Sequence, residues 1–391
     1  MPSKERYPSC AVRTRNRCLV AAALTLAAAI GAKAAPADHF QRATPASQAA
    51  PRSGEQIYKA ACAACHGADG RGNPQSHVGF DIPLPDFTDC SFATPEAEAD
   101  WFAIVHAGGP VRAFARQMPA FAGALTDDEI LRVVGFVRGM CGESKWPPGD
   151  LNLPRALVTE KAFPENEALF VASASRKGGA AVNTSVIYER RIGARTQWEV
   201  VLPVSMQQAG EGGPWSQGLG DAAVALKHVL FHDAGRGSIV SLGSEAVLPT
   251  GRQSTGAGKG TLIFEPFLSA GQAVAGNGFL QAQVGIELPE DTAKAAREAF
   301  LRIAAGRTFF QGRFNREWSP MVEWVGARPF TSGAAMEWDV VPQVQFSLSR
   351  RHHVLLSAGV QVPITQRAGR GNTFRTYLLW DWFDGGFFTG W

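Results

Sequence analysis

The chain has 391 residues, which is enough for two domains and too many for one ordinary hydrophobic core. Its net charge is only +3, and residues 1–34 carry six basic side chains against one acidic side chain. Because residues 1–34 carry more positive charge than the chain as a whole, residues 35–391 lack the basic excess of a nucleic-acid-binding protein. The sequence also contains no motif typical of that class.

Residues 1–34 have the pattern of a secretory signal. A basic start precedes the apolar run CLVAAALTLAAAIGA (18–32), and Ala32-Lys33-Ala34 matches a cleavage site. Because the run is short and rich in alanine, an uncleaved membrane anchor is the less favoured alternative. Residues 35–53, rich in Ala, Pro and Ser, are interpreted as a linker. Export would put the remaining cysteines in an oxidising compartment.

The stretch KAACAACHGADGRG (59–72) contains the pattern C-x-x-C-H, formed by Cys62, Cys65 and His66. This spacing suits covalent haem attachment, because two thiols add to the two vinyl groups of the porphyrin and the next residue brings an imidazole to the iron. A thioredoxin-like site would need a βαβ setting, and a zinc site would need a second ligand pair at suitable spacing. Neither is visible, so the sequence predicts one covalently bound haem c.

The stretch RQMPAFAGALTDDEILRVVGFVRGMC (116–141) resembles the C-terminal half of class I cytochromes c, in which a Met-Pro pair precedes a terminal amphipathic helix. The resemblance covers residues 54–142 and implies a small all-α cytochrome c domain. It also implies that Met118 binds the iron opposite His66. Thr126 and Glu129 have the spacing of a capping box at the start of the helix. Alternative axial ligands are Met140, His77 and His106.

Removal of the predicted signal would take Cys10 and Cys18 with it, and Cys90 and Cys141 would then be the two cysteines outside the haem motif. In an oxidising compartment we expect them to form a disulfide, and two inert buried thiols are the alternative. Closing so long a loop would stabilise the domain by roughly 3–4 kcal/mol.

From residue 166 onward apolar and polar residues alternate, as in FLQAQVGIEL (279–288). Period two over about ten residues is typical of a membrane β-strand, although a soluble β-sandwich also alternates. Three features favour the membrane alternative: long strands, connections that alternate between short and long, and an aromatic final stretch that ends at Trp391. The sequence predicts an antiparallel outer-membrane β-barrel of about twelve strands over residues 166–391. The Pro-rich residues 143–165 are interpreted as a semi-rigid spacer.

Three segments of this region, VIYERRIGARTQWEVVLPV (186–204), GLGDAAVALKHVLF (218–231) and SLGSEAVLPTG (241–251), resemble a family of outer-membrane proteins near aromatic-degradation pathways, described as phenol-pathway or transporter-like. The resemblance implies a barrel and no residue-level mechanism. The polar faces of the predicted strands would fill the barrel with ion pairs or line a narrow wet channel. The charged residues on these faces are Glu199, Glu245, Glu265, Glu287, Glu317, Glu323, Glu337, Asp339, Arg190, Arg302 and Arg375.

Together these features predict an outer-membrane-tethered monohaem cytochrome c that carries single electrons, with its haem domain in the periplasm. Expected partners are periplasmic redox proteins, and an electron carrier is favoured over a catalyst. One alternative is an electron conduit through the barrel, as in fused cytochrome–porin iron oxidases, which have a similar layout but a much shorter haem segment. The other is a channel for hydrophobic or aromatic solutes with an accessory haem domain.

Overall fold

The computed structural model describes residues 50–176 and 180–382. The predicted signal, most of the predicted linker and Trp391 lie outside the described residues. Within the described ranges, no helix has both the length and the apolar character needed to cross a membrane.

Residues 54–142 form a helical domain in which the first and last helices pack against each other. Its core contains Ile57 and Tyr58 from the first helix and Ile130, Val133, Val134 and Val137 from the last. The last helix begins where the sequence predicts, because the Thr126 side chain accepts a hydrogen bond from the backbone N–H of Glu129. The helices are α1 (Gly54–Ala61), α2 (Ala63–His66), α3 (Gln75–Val78), α4 (Cys90–Ala93), α5 (Glu98–Ala107) and α6 (Asp127–Gly139), with a 3-10 turn at Gly109–Arg112.

A disulfide joins Cys90, at the start of α4, to Cys141, just beyond the end of α6. The predicted pairing is therefore confirmed. The bond links two parts of the helical domain that are 51 residues apart in sequence.

The described residues from 167 to 381 form one sheet of 14 antiparallel strands with their connections. Twelve of them close into a ring: the first strand, Glu167–Ser175, pairs with the last, Thr373–Asp381, and every other pair of neighbours around the ring is hydrogen-bonded. The predicted closed barrel of about twelve strands is confirmed. Two short strands, Trp215–Leu219 and Phe309–Phe310, each pair with one strand of the ring.

Within the described residues the sheet contains twelve long strands and two short ones. They are β1 (Glu167–Ser175), β2 (Ala181–Ile192), β3 (Thr196–Gln208), β4 (Trp215–Leu219), β5 (Ala223–Asp233), β6 (Ser238–Val247), β7 (Ile263–Val274), β8 (Gly278–Pro289), β9 (Glu298–Arg307), β10 (Phe309–Phe310), β11 (Glu317–Pro329), β12 (Glu337–Ser347), β13 (Val354–Pro363) and β14 (Thr373–Asp381).

The barrel is apolar on the outside and polar on the inside. On β8, Leu280 and Val284 are 47% and 50% exposed, whereas Gln281 and Gln283 are only 2% exposed. Successive side chains of a strand point to opposite faces, so one alternating sequence supplies both surfaces. Large apolar side chains are exposed on almost every strand of the ring, among them Phe170, Leu202, Leu226, Leu242, Leu268, Trp324, Phe346, Leu356 and Leu378.

Residues 151–165, here called the plug, run through the inside of the barrel. Leu151 and Phe163 pack against inward-facing residues of β5 and β6, and Leu153 packs against those of β8 and β11. The plug also forms hydrogen bonds to strands around the ring, through Glu167, Gln197, Lys227, Ser241, Gln281, Glu323, Gln343 and Tyr377. Of the segment 143–165, which the sequence analysis interprets as a spacer, residues 151–165 lie inside the barrel.

Candidate functional site: an apolar cleft at the barrel mouth

The C-x-x-C-H motif lies at the junction of α1 and α2. Helix α1 has a complete capping box between Ser53 and Gln56, and it buries Ile57 and Tyr58. The motif then turns sharply at Gly67, whose φ of +77° is a conformation that favours glycine. These elements fix the backbone on both sides of His66.

Side-chain hydrogen bonds hold the motif loop in this conformation. The hydroxyl of Tyr58 donates to the carbonyl oxygen of Gly67 at 2.7 Å, and burial raises the pKa of Tyr58 to about 12, so the hydroxyl keeps its proton. The side-chain amide of Asn73 donates to the carbonyl oxygens of Ala63 at 3.0 Å and Ala64 at 2.9 Å. The motif is therefore supported independently of any bound group.

Met118 lies in the loop between the 3-10 turn and α6. The backbone N–H of Gly109 donates to the carbonyl oxygen of Met118 at 3.0 Å. A Cβ atom at Gly109 would lie 2.3 Å from the carbonyl oxygen of Ala115, so the loop closes here only because residue 109 has no side chain.

The four predicted haem residues, Cys62, Cys65, His66 and Met118, all line one cleft of about 340 Å³. The remaining walls are largely apolar and include Ile82, Leu84, Phe87, Trp101, Phe121 and Val133. An apolar cavity with a few convergent polar groups is the usual form of a cofactor site.

The cleft fits a haem group in three further respects. Burial lowers the pKa of His66 and so favours the neutral imidazole, which is the form that ligates a metal. The Nδ1 atom of His66 and the Nε1 atom of Trp101 are buried and have no hydrogen-bond partner among the described residues. Cys62 and Cys65 are free thiols.

The alternative ligands lie elsewhere. Met140 packs into the helical core, with its sulfur close to Gly70. His106 packs against Phe102 and Phe314, and His77 is exposed on α3. Among the residues that the structure describes, none of these three lines the cleft.

Short connections of the barrel touch the helical domain beside this cleft. The ring of Phe314, between β10 and β11, lies 4.9 Å from the ring of His106. Arg112, which is buried, binds Asp100 at 2.7 Å and donates to the carbonyl oxygen of Phe314 at 2.6 Å. The guanidinium of Arg351, in the β12–β13 turn, lies 4.0 Å from the centroid of Phe114. The helical domain is thus docked against the barrel mouth.

Sequence reasoning missed that the barrel takes part in this cleft. Arg351 and His353, both from the β12–β13 turn, line it together with Arg112, Asp100 and Glu96. The adjacent pair His352-His353 was the only sequence signal at this position, and it gives no information about contact with a domain more than two hundred residues earlier.

Ion pairs and hydrogen bonds hold the plug inside the barrel. Arg155 binds Glu167 at 2.6 Å and Glu189 at 2.8 Å, and all three side chains are buried. The carboxylate of Glu323 accepts hydrogen bonds from the backbone N–H groups of Leu157, Val158 and Thr159. These contacts neutralise charges that would be costly to bury alone.

The structure agrees only in part with the polar barrel lining that the sequence predicts. Glu323 and Asp339 are buried and bonded as expected of an ion-paired interior, but Arg190 is exposed on the outside of β2. Sequence reasoning did not anticipate Arg155, Lys161 or Lys227 as interior partners. A dense run of charges between Arg155 and Glu167, mixed with Ala, Phe and Pro, is the signal that could have indicated burial.

The plug leaves a cavity of about 250 Å³ inside the barrel, lined by Glu199, Glu245, Glu265 and Arg302 among others. Carboxylate oxygens of Glu160, Glu189 and Glu199 lie within 4.8 Å of one another, close enough to share a metal ion. Arg155 and Lys227 already bind two of these carboxylates, so the cluster is at least partly neutralised by the protein itself.

Residues 49–137 match the family described as Cytochrome C oxidase, cbb3-type, subunit III. This segment is a cytochrome c domain. The match covers most of the helical domain and none of the barrel, and comparison with curated proteins gives no match.

Several solved structures are similar to the barrel. An outer membrane channel from Pseudomonas putida F1 has 9% sequence identity and a TM-score of 0.42, with 59% of this chain and 100% of that chain covered. The KdgM porin has 9% identity and a TM-score of 0.37, covering 55% of this chain and 99% of that one. LpxR from Salmonella typhimurium has 8% identity and a TM-score of 0.38, covering 55% and 100%.

Proposed function

We propose that the protein is an outer-membrane-anchored monohaem cytochrome c that carries single electrons at the periplasmic end of its barrel. The observation that carries the proposal is the convergence of Cys62, Cys65, His66 and Met118 on one apolar cleft. Haem c would supply reversible one-electron chemistry there.

In this proposal Cys62 and Cys65 would hold the haem through thioether bonds, and His66 and Met118 would be the protein ligands of its iron. Both axial positions are then filled by protein side chains, which disfavours chemistry on a substrate at the iron and favours electron transfer to a partner. Periplasmic one-electron redox proteins are the matching partners, and the protein would act as a carrier and not as a catalyst.

The barrel would act as the membrane anchor. Its outward face exposes large apolar side chains on nearly every strand, far more than a soluble surface carries. A lipid bilayer is the environment in which such a face is stable, and a closed barrel leaves no unpaired strand edge within it. The haem domain contacts the end with the short turns, which in bacterial outer-membrane barrels is the periplasmic end.

The plug favours an anchor over the two alternatives. It fills much of the lumen with buried ion pairs and apolar contacts, so an open channel for hydrophobic or aromatic solutes has little support. A conduit would have to cross ~30 Å of hydrocarbon with one haem located at the barrel mouth. The sequence has no second C-x-x-C-H to extend the path.

The first experiment is a haem-stained gel of separated membrane fractions, run with boiled and unboiled samples. We expect a haem band in the outer-membrane fraction that shifts on boiling, since covalent haem and a folded barrel would be in one chain. A haem band in the soluble fraction without a shift would contradict the membrane assignment.

The second experiment tests the ligand set with Met118→His. Replacing a thioether ligand by a second nitrogen ligand should lower the midpoint potential while leaving the haem six-coordinate. Met140→Leu is the matched control and should leave the potential close to that of the wild type. A potential that moves with Met140 and not with Met118 would reassign the ligand.

Electron-transfer and solute-flux assays on liposomes that contain the protein distinguish the three functions: anchor, conduit and channel. An anchor transfers electrons only on the side that carries the haem domain. Delivery of electrons to an impermeant acceptor on the opposite side would favour the conduit, and solute flux would favour the channel.

A further inference from the structure

Glu96, His353 and Asp381 form a cluster, here called the mouth triad, where the helical domain meets the barrel. Nε2 of His353 lies 2.8 Å from a carboxylate oxygen of Glu96, and its Nδ1 lies 3.3 Å from a carboxylate oxygen of Asp381. The His353 side chain is only 5% exposed. One imidazole is therefore held between a carboxylate of the helical domain and a carboxylate of the barrel.

The backbone fixes this arrangement. The N–H of His353 donates to the hydroxyl of Ser349 at 3.1 Å, and its carbonyl oxygen accepts from the N–H of Asp381 at 2.9 Å. The imidazole is thereby held next to β14 and has little freedom to leave the two carboxylates.

The mouth triad borders the proposed haem cleft. His353 and Glu96 line the same cavity as His66 and Met118. Charges interact strongly across a poorly hydrated site, so a change of one unit at the iron would be felt by the imidazole.

Other charged groups lie near the triad. Asp100 and Arg112 of the helical domain and Arg351 of the barrel line the same cavity. Glu317 is close enough to act electrostatically on Glu96, and His352 on His353. Glu165 and Glu167 are close enough to act electrostatically on Asp381, and Lys161 binds both. Burial lowers the pKa of His352 to about 4, so that neighbour stays neutral near pH 7.

We propose that the mouth triad is a redox-linked proton site, which takes up one proton when the haem is reduced and releases it when the haem is oxidised. This inference rests on the proposed function. Nε2 of His353 forms a hydrogen bond with Glu96, and Nδ1 lies within ion-pair distance of Asp381 without a hydrogen bond between them. A protonated His353 would place its positive charge between both carboxylates, whereas a neutral imidazole carries no charge to neutralise them. Which protonation state of His353 is populated then depends on the charge of the neighbouring haem.

The balance of the step is simple. One electron arrives from a periplasmic one-electron donor protein, and the positive charge at the haem falls by one. One proton moves from bulk water to the triad, where it completes the imidazolium of His353. Oxidation by an acceptor protein reverses both movements, so no other reactant is consumed.

The test is a spectroelectrochemical titration of the full-length holoprotein in detergent, between about pH 5 and about pH 8, the range in which histidine titrates. Because the reduced state binds more protons, the midpoint potential should fall as pH rises. The slope should approach a tenfold change in the equilibrium constant per pH unit, about 59 mV for one electron. A potential that is independent of pH across this range would overturn the proposal.

Two variants assign the effect to the triad. His353→Gln should abolish the slope, and Glu96→Gln should move it to lower pH, because the imidazolium loses a carboxylate partner. His106→Asn is the matched control: it changes a histidine at the same interface that does not line the cleft, and it should keep the wild-type slope. A slope that survives His353→Gln would assign the proton to another group.

Proton uptake can also be measured on the wild type alone, in case His353→Gln disturbs docking. Reduction by hexaammineruthenium(II), whose oxidation releases no proton, should draw up to one proton per haem from a weakly buffered solution containing a pH indicator. No uptake would overturn the proposal. A protein without covalent haem, or without a reversible one-electron wave, would instead contradict the proposed function itself.

Discussion

The helical domain and the barrel bury opposite kinds of residue. In the helical domain Ile57, Ile130 and Val133 are almost fully buried, and charged side chains such as Lys59 are exposed. In the barrel Glu189 and Gln281 are the buried residues, and Leu280 is exposed. The side of an element on which its apolar residues lie therefore depends on the solvent that the element faces.

The two regions also differ in the interactions that hold each fold together. The helical domain closes around a small apolar core with a disulfide and, we propose, a covalent haem. The barrel closes through a continuous ring of strand pairs, and its interior is filled by the charged plug. Changes that remove a stabilising interaction from one region should therefore leave the other region folded.

The largest expected effect comes from Cys62→Ala/Cys65→Ala. Without either thiol the haem cannot be attached covalently, so haem staining on a denaturing gel should be lost completely, while the barrel band still shifts on boiling. Cys90→Ala/Cys141→Ala is the cysteine control and should keep the stain. If the barrel shift were also lost, the barrel would depend on the haem domain for folding.

Next comes Arg155→Gln, which removes the cation from the centre of the plug. Glu167 and Glu189 would be left without this partner, and breaking a buried ion pair costs about 3–5 kcal/mol. The measurement is urea unfolding in detergent, with the barrel followed by gel shift and the haem domain by haem absorbance.

Only the barrel transition should move to lower urea in Arg155→Gln. Arg236→Gln, in a turn where the side chain is 81% exposed, is the control and should leave both transitions in place. An unchanged barrel transition in Arg155→Gln would show that the plug contributes little to the stability of the barrel.

Removal of the disulfide should have the converse effect. Cys90→Ala/Cys141→Ala opens a crosslink over a separation of 51 residues, which should lower the free energy of unfolding of the helical domain by roughly 3–4 kcal/mol. The same urea titration should show an earlier haem transition and an unchanged barrel transition. A matched shift of both would mean that the two regions unfold as one cooperative unit.

The smallest effect is expected at Arg313, which binds Asp127 across the contact between the two regions. Both side chains are more than half exposed, and such pairs contribute about 1 kcal/mol or less. Arg313→Ser should therefore shift neither transition by more than that, and high salt should remove the difference. A loss of several kcal/mol would make this pair a principal contact of the docked domain.

Local sequence determined much of this protein. The haem motif, the capping box at Thr126 and the period-two strands are all local patterns, and each indicates its element without knowledge of the rest of the chain. Twelve strands could be counted because each alternating run is bounded by turn residues. The Cys90–Cys141 bond followed from chemistry, since few other partners remained in an oxidising compartment.

Tertiary structure alone decided the role of residues 151–165 and the wall of the cleft. A Pro-rich charged segment has the same local pattern whether it lies in water or inside a barrel. The carboxylates that pair with Arg155 become buried only when the ring of strands closes. The contact between Glu96 and His353 joins residues 257 positions apart. No local pattern encodes such a contact, because it depends on how the whole barrel presents its short turns to the helical domain.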